Sequence, residues 1–318
     1  EPDANNPDPV FGLGVSDYNH NTLDSIGYVQ NPCFATDGTR LIVTSDNLKR
    51  IFIYNNFPSV SGTMPDMMIS TEAYNLAPWD NALNNNVFVA AGKNTLCVWN
   101  DASNLSATPS QTFTNTIGTA TFNDIRGVAL DDDFFYVNDK NGKVYIWNGI
   151  PASSSVNPTH TLNFGSVTLS RLSSNGIYFI VSQDLPAAVY IFKVADLVNG
   201  NTTPWKTINT MGLLNQPFES IAFNDSSLAI ANMSNNDVLL WENIEDAPDM
   251  SSMIILGNAT NAPNNPPMIG QNHLFMPGAL LYHNNQLFVG EHNFSSRIVV
   301  FGDNTTGRTT DTTVEQTV

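Results

Sequence analysis

Apolar and polar positions alternate along this chain in short blocks, without the spacing of an amphipathic helix. Six times, a short apolar stretch closes on an aromatic residue, and the intervals between those aromatics are 45, 48, 45, 49 and 60 residues. Three of the five tryptophans occupy this position. The stretches are Arg50–Tyr54, Thr95–Trp99, Lys143–Trp147, Ala188–Phe192, Asp237–Trp241 and Arg297–Phe301. The pattern predicts six structural repeats, with the aromatics packed between them.

Each repeat holds four strand-like segments. The first segment consists of small or apolar residues, such as Gly127–Asp131, and the second is an apolar segment. The aromatic stretch is the third, and a polar loop then leads to a fourth segment such as Thr159–Leu162. The second segments are Leu41–Thr44, Val87–Ala90, Phe135–Asn138, Tyr178–Val181, Leu228–Ala231 and Leu287–Gly290. Four short strands in about 45 residues are typical of a propeller blade. The sequence predicts an all-β fold, a six-bladed β-propeller with four antiparallel strands per blade.

Each end of the chain contains a strand-like segment that could be the fourth strand of the last blade. The segment 10–15 resembles a fourth strand without three strands before it, so we expect it to complete the last blade and remove an exposed edge. We therefore divide the chain into an extension (1–9), one propeller (10–301) and a Thr-rich strand or tail (302–318). A tail strand could dock in its own molecule or on a neighbour, and head-to-tail addition would build filaments. The predicted interface residues are Val10, Phe11, Leu13, Val15, Thr312, Val314, Thr317 and Val318.

The composition and charge of the chain exclude several classes of function. Charged residues make up only 13% of the chain, and the net charge is −17. The negative net charge repels nucleic acid and disfavours binding to anionic membrane surfaces. No apolar run is long enough to span a bilayer. The chain begins at Glu1 without a methionine, so we expect an extracellular or cell-surface protein after signal-peptide removal. Cys33 and Cys97 fall on different strand types and are expected to be separate buried thiols.

The repeats resemble a known family. Asn31–Asp46 followed by Arg50–Tyr54, and Tyr145–Pro151 with its polar loop, are similar to the NHL repeat in its extracellular prokaryotic form. The resemblance covers nearly the whole chain and implies a propeller, but little about function. Blade 4 departs from the pattern, because Leu169–Ser173 lacks the Pro-x-Gly opening of the innermost strand.

Candidate chemistry is sparse. No pair of histidines has metal-ligand spacing, Asp131–Asp133 fits a polar turn better than a calcium loop, and no nucleophile or phosphate motif is present. His283 and His292 flank one strand of the last blade, where packing roles are favoured. The aligned openings of the innermost strands are Pro32, Pro78, Arg126, Ser170, Glu219 and Pro277. Propeller hydrolases and lyases place metal ligands there, which prolines cannot supply. We expect no catalytic residue, cofactor or metal.

Arg126, Arg171 and Glu219 are expected to form a charged cluster in the channel, as a structural ion pair in preference to an anion site. Asn-x-Ser/Thr triplets provide glycosylation candidates, each weak by itself. These candidates are Asn104, Asn201, Asn224, Asn232, Asn258, Asn293 and Asn304. The insertion Asn258–Asn272 is expected to form a surface loop and a contact site.

These observations favour a non-catalytic structural or adhesive propeller, outside the cell, that assembles with copies of itself through its chain ends. Two alternatives stay open. One is a propeller that binds a glycan, a peptide or a cell-surface partner, and the other is a metal-dependent hydrolase or lyase.

Overall fold

Strands account for most of the ordered secondary structure. The computed structural model describes residues 9–14, 31–210, 212–257, 274–292 and 297–302. The longest helix in these ranges, α1 (Val194–Val198), has five residues, so no described helix could cross a membrane. Three 3₁₀ turns lie at Glu72–Tyr74, Met233–Asn235 and Met250–Ser252.

The strands form six four-stranded antiparallel sheets. The first strand of the chain is β1 (Pro9–Leu13). Blade 1 holds β2 (Pro32–Thr36), β3 (Leu41–Ser45), β4 (Arg50–Tyr54) and β5 (Met67–Ser70). Blade 2 holds β6 (Asp80–Asn84), β7 (Val87–Gly92), β8 (Thr95–Trp99) and β9 (Gln111–Thr114). A two-stranded hairpin, β10 (Thr116–Ile117) and β11 (Ala120–Thr121), separates blades 2 and 3.

The remaining blades follow in chain order. Blade 3 holds β12 (Ile125–Leu130), β13 (Phe135–Asp139), β14 (Lys143–Trp147) and β15 (His160–Asn163). Blade 4 holds β16 (Thr168–Ser174), β17 (Tyr178–Leu185), β18 (Ala188–Lys193) and β19 (Lys206–Ile208). Blade 5 holds β20 (Pro217–Phe223), β21 (Ser227–Asn232), β22 (Asp237–Trp241) and β23 (Met253–Gly257). Blade 6 holds β24 (Pro277–His283), β25 (Gln286–Glu291) and β26 (Ile298–Gly302), with β1 as its fourth strand.

The six innermost strands form a closed ring. Each of them, β2, β6, β12, β16, β20 and β24, contacts the next, and β24 returns to β2. This confirms the predicted six-bladed propeller. We call the end of the ring where these strands begin the front face, and the end where they finish the back face.

The hydrophobic core lies between the blades. Six buried clusters each combine residues from two neighbouring blades. Trp99, Trp147 and Trp241 are at most 2% exposed, and their indole nitrogens donate to loop carbonyls of their own blades. The aromatic closing each third strand therefore packs between blades, as predicted.

Asparagine pairs shape the hairpins at the back face. Asn85–Asn86 and Asn284–Asn285 each connect an innermost strand to the second strand, and all four residues have positive φ angles of 46–66°. Two-residue turns with positive φ at both positions match the twist of antiparallel strands, and Asn tolerates that geometry better than most residues. These tight turns therefore explain why asparagine occupies these positions.

Strand β1 closes the ring. It pairs antiparallel with β26, where Phe11 is opposite Val300 and Leu13 is opposite Ile298. Phe11 and Leu13 are buried at 4% and 0% exposure between blades 6 and 1. The chain end therefore fills the fourth position of blade 6, as the sequence predicts, with a strand at 9–13 instead of 10–15.

The outer edge of β1 is partly covered by blade 1. The Gly12 amide donates to Ser61 Oγ at 3.1 Å, and the Gly12 carbonyl accepts from the Gly62 amide at 3.3 Å. Another strand could not pair along β1 at Gly12 without displacing this loop.

Candidate functional site

β-Bulges mark the front ends of the innermost strands in blades 3 to 6. The register shifts between Ile125 and Gly127, within 168–172, between Pro217 and Glu219, and between Pro277 and Ala279. A bulge leaves an extra residue unpaired in the ladder and re-aims its side chain. The extra positions include Arg126, Arg171, Phe218 and Gly278.

One side chain from each blade meets at this end of the channel. We call this set the front plug, and it consists of Asn31, Trp79, Arg126, Arg171, Phe218 and His292. Asn31, Arg171, Phe218 and His292 are at most 6% exposed. A Cβ at Gly278 would lie 2.9 Å from the His292 Cβ, so glycine is needed where the plug packs against β24.

Arg171 lies at the centre of the plug and has no exposed surface. Its Nη1 donates to Glu219 Oε2 at 3.2 Å and to the Gly278 carbonyl at 2.7 Å. Its Nη2 donates to Asn31 Oδ1 at 2.6 Å and to the carbonyls of Pro32 and Trp79 at 3.2 and 3.3 Å. One guanidinium from blade 4 thus bonds blades 1, 2, 5 and 6. The planar fork of arginine suits this role, because its donors diverge in fixed directions.

Two buried carboxyls accompany this guanidinium. Glu219 Oε2 also accepts from the Leu280 amide at 2.9 Å, and Asp80 Oδ1 lies 3.9 Å from Arg171 Nε. Asp80 accepts from the Cys33 thiol at 2.6 Å through Oδ1 and from the Val128 amide at 2.8 Å through Oδ2. The cluster therefore contains one fixed positive charge and two acids, each held by backbone or side-chain donors.

Burial governs the protonation of these groups. It raises the pKa of Glu219 to about 7 and that of Asp80 to about 6, and Arg171 offsets part of each rise. It lowers the pKa of His292 to about 3, helped by Arg171 and Arg126. His292 is therefore neutral at physiological pH, and the two acids titrate close to neutrality.

These pKa shifts predict a pH-dependent difference between wild type and Glu219→Gln. A carboxyl with a raised pKa in the fold contributes stability that is present below its unfolded pKa, 4.5, and lost as the pH rises through about 7. Glutamine cannot titrate, so the variant should gain stability relative to wild type between pH 4.5 and 7. His292 is present in both proteins, so its opposite contribution cancels. Urea unfolding at half-unit pH steps measures the difference, and parallel stability curves would contradict the assignment.

The channel widens behind the plug into a cavity that opens at the back face. We call it the back funnel; its volume is about 310 Å³, and the innermost strands of all six blades line it. Its wall combines buried apolar residues, including Phe34, Ala82, Leu172 and Leu280, with polar residues, including Asn81, Ser173 and Ser174. Glu219 is the one charged side chain in the wall. A cavity of this size, with both apolar and polar residues in its wall, is large enough for a small ligand.

The predicted channel cluster is partly correct. Arg171 and Glu219 form a buried ion pair, as expected. Arg126 does not join it; its Nη2 pairs with Asp124 Oδ2 at 2.7 Å and its guanidinium stacks 3.8 Å from the centre of the Trp79 ring. The aligned openings are also displaced, because Trp79 and Phe218 occupy the channel where Pro78 and Glu219 were expected. The bulge in β20 accounts for Phe218 by adding a residue that a strand-by-strand alignment does not count, whereas Trp79 precedes β6, which pairs with β7 without a bulge.

Other candidate residues have separate roles. His283 stacks on Phe57 with ring centres 3.6 Å apart, at the opposite end of β25 from His292, so the two histidines do not form a site. Asp131 accepts from the Asp133 and Phe134 amides, which identifies a turn. Cys33 and Cys97 are buried and free, as predicted. Within the described ranges, no group of three or more His, Cys, Asp or Glu side chains could hold a metal ion.

The glycosylation candidates differ in exposure. Asn104, Asn201 and Asn224 are exposed, whereas Asn232 has no exposed surface. The Asn232 amide donates to the Leu213 carbonyl and to Asp237 Oδ1, so a glycan there would disrupt blade 5. The prediction for Asn232 is therefore wrong on structural grounds. Asn258, Asn293, Asn304 and the insertion Asn258–Asn272 lie outside the described residues.

Of the predicted interface residues, Phe11 and Leu13 pack inside the closed ring, and the backbone of Val10 lies in β1. Val15, Thr312, Val314, Thr317 and Val318 lie outside the described ranges. Sequence reasoning missed Asn31, Trp79, Asp80 and Phe218, and it named His292 only for a packing role. The position of Trp79 next to an innermost strand, away from the repeated tryptophans, was the one signal available for this set.

Comparison with known proteins supports the fold alone. No protein-family model matches the chain, and no curated protein matches it. Among solved structures, the WD40 beta propeller domain of Doa1 aligns with a TM-score of 0.54 at 10% identity, covering 86% of this chain and 79% of that one. The computationally designed Ika8 protein aligns with a TM-score of 0.45 at 9% identity, over 85% of this chain and 70% of that one. The chain is a six-bladed β-propeller, and the NHL-repeat type stays a prediction.

Proposed function

We propose that this protein is a non-catalytic assembly module, in which the segment after β26 of one copy adds as a strand to blade 1 of another. The position of β1 is the observation that carries the proposal. Because β1 fills the fourth place of blade 6, no place in that blade is left for residues 303–318. A β-prone segment without a blade position in its own ring is suited to pair with the edge of a neighbour.

The outer edge of blade 1 is the proposed acceptor. Met67 and Met68 on β5 are 46% and 51% exposed, and Val60 and Met64 in the preceding loop are 62% and 51% exposed. The outermost strands β9, β15 and β19 carry more polar sequences, the apolar strand β23 has no exposed side chain, and the edge of β1 is partly covered. An exposed apolar edge strand is a template for pairing with another chain. A partner strand would cover the methionines and complete the edge.

The front plug supports a role outside catalysis. Arg171 and the surrounding aromatic rings fill the channel where propeller enzymes place their ligands, so a substrate would have to displace a buried ion pair. We further propose an extracellular location, supported by exposed acceptor triplets at Asn104, Asn201 and Asn224.

Deletion of residues 303–318 tests the assembly proposal. The full chain should sediment as species larger than a monomer, with the proportion rising with NaCl because screening reduces repulsion between copies of net charge −17. The deletion variant should sediment as a monomer with an unchanged melting temperature. A length-matched control, Thr312→Pro/Val314→Pro/Thr317→Pro, should behave like the deletion because proline removes ladder donors. Identical size distributions for the full chain and both variants would contradict the proposal.

A further inference from the structure

The back funnel has a wall suited to a cation on an apolar stem. Its deepest ring comprises Phe34, Asn81, Val128, Leu172, Glu219 and Leu280, one residue from each blade. Four of these six side chains are apolar, and the carboxyl of Glu219 is the single charged group among them. A ligand that reaches this depth buries hydrocarbon along the wall and meets a carboxyl at the floor.

Glu219 has hydrogen-bonding capacity left on the funnel side. The hydrogen bonds from Arg171 and Leu280 both end on Oε2, and Oε1 accepts none from the described residues. The side chain keeps 8% of its surface accessible and lies in the funnel wall. Asn81, from the opposite blade, donates through Nδ2 to Thr44 Oγ1 in blade 1, and its Oδ1 atom is buried away from the funnel. The free Oε1 of Glu219 therefore favours a ligand that brings a hydrogen-bond donor to the floor.

The charge around the funnel favours a cation over an anion. Behind the floor, the carboxyls of Asp80 and Glu219 accompany one buried guanidinium, Arg171, because the second guanidinium of the front plug, Arg126, is paired with Asp124. The six hairpin turns that surround the mouth contain five aspartates and one arginine, and Arg40 is paired with Asp37 at 2.5 Å. The aspartates are Asp37, Asp131, Asp132, Asp133 and Asp225. A cleft lined by one sign of charge concentrates ligands of the opposite sign.

We propose that the back funnel is a binding site for an alkylammonium group, with the hydrocarbon stem against the apolar wall and the ammonium hydrogen-bonded to Glu219. The ammonium supplies a balancing positive charge to a cluster with more acids than bases. One of its three N–H groups can donate to Glu219 Oε1. A carboxylate of the same length would place a second negative charge beside Glu219.

Titration calorimetry with n-pentylammonium, n-pentanol and pentanoate tests the site. The amine should bind one to one, at least tenfold more tightly than the alcohol, and pentanoate should not bind. Affinity should rise about fourfold per methylene from propylamine to pentylamine, as hydrocarbon is buried. The alkylammonium group could belong to a lysine side chain of a protein or to a free amine, and a blocked lysine amide as a fourth ligand distinguishes the two. Binding as tight as that of pentylamine indicates a protein side chain, and weaker binding indicates a free amine. Equal affinities for amine and alcohol would overturn the proposal.

Variants separate the site from nonspecific binding. Glu219→Gln should lose at least tenfold in affinity for the amine and leave the alcohol unchanged. Leu130→Trp, at the half-buried mouth, should abolish binding of both by filling the funnel without touching the ion pair. The matched control is Glu242→Gln, an exposed site outside the funnel, which should bind as wild type. Unchanged amine binding in both Glu219→Gln and Leu130→Trp would also overturn the proposal.

Proton release gives an independent readout. Because burial raises the pKa of Glu219 to about 7, an ammonium bound at pH 6 should displace a proton from this carboxyl. The binding enthalpy should then depend on the ionisation enthalpy of the buffer at pH 6, and that dependence should disappear in Glu219→Gln. Assembly plays no part in this measurement, so its result is independent of the proposed function.

Discussion

Replacing Arg171 with methionine is expected to lower the free energy of unfolding by roughly 3–5 kcal/mol. The variant keeps much of the side-chain volume but leaves Asp80 and Glu219 buried without their counter-charge, and it removes hydrogen bonds to four other blades. Removing one partner of a buried ion pair is costly because the other charge stays desolvated. Urea unfolding followed by tryptophan fluorescence measures the loss.

Two further variants decide the origin of that loss. Arg50→Met, at an exposed arginine of blade 1, is the matched control and should change stability by no more than about 0.5 kcal/mol. The triple variant Arg171→Met/Asp80→Asn/Glu219→Gln removes the unpaired charges as well, so it should be more stable than the single variant. If Arg171→Met is as stable as Arg50→Met, the guanidinium does not hold the blades together.

The double substitution Phe11→Ala/Leu13→Ala in β1 is expected to cost on the order of 5 kcal/mol or more. Both side chains are buried between blades 6 and 1, and Phe11 packs edge-on against Phe288 with ring centres 6.2 Å apart. Without these contacts the first and last blades lose the strand that joins them. A loss of this size approaches the total stability of many domains.

Thermal and urea unfolding of this variant should be compared with Val60→Ala, a control at a 62% exposed position in the blade 1 loop. Limited proteolysis provides a second readout, since opening of the ring should expose blades 6 and 1 to cleavage before the other blades. A double variant that unfolds within 1 kcal/mol of the Val60→Ala control would show that β1 does not close the ring.

The fold could be predicted from sequence because its determinants are local and repeated. The aromatic that closes each third strand marks every blade, and the small or apolar run before each second strand marks the innermost strand. Closure by β1 was also predictable, because 10–15 has strand character without three strands before it. Its observed bounds, Pro9–Leu13, differ by one or two residues from the expected ones.

The front plug could not be predicted in full because its residues depend on register. Asn31 and His292 are 261 positions apart in the chain, yet their side chains lie 3.0 Å apart, a contact created by ring closure. Each bulge at the front face shifts which residue enters the channel, as at Phe218 in place of Glu219. Arg171 was found as a charged residue near the correct level, but its bonds to four other blades follow from the three-dimensional ring. The back funnel is lined by the innermost strands of all six blades, so it exists only in the closed ring and has no signal in any one stretch of sequence.

A complementation experiment tests the assembly proposal most directly. The acceptor protein lacks residues 303–318 and keeps β5, and the donor protein keeps those residues and carries Met68→Pro in β5, where proline blocks strand pairing. Each protein alone should sediment as a monomer, because each lacks one half of the contact. Mixed in equal amounts they should form a heterodimer that does not extend further. If the mixture sediments as two monomers while the unmodified chain assembles, the chain does not assemble by strand addition to blade 1.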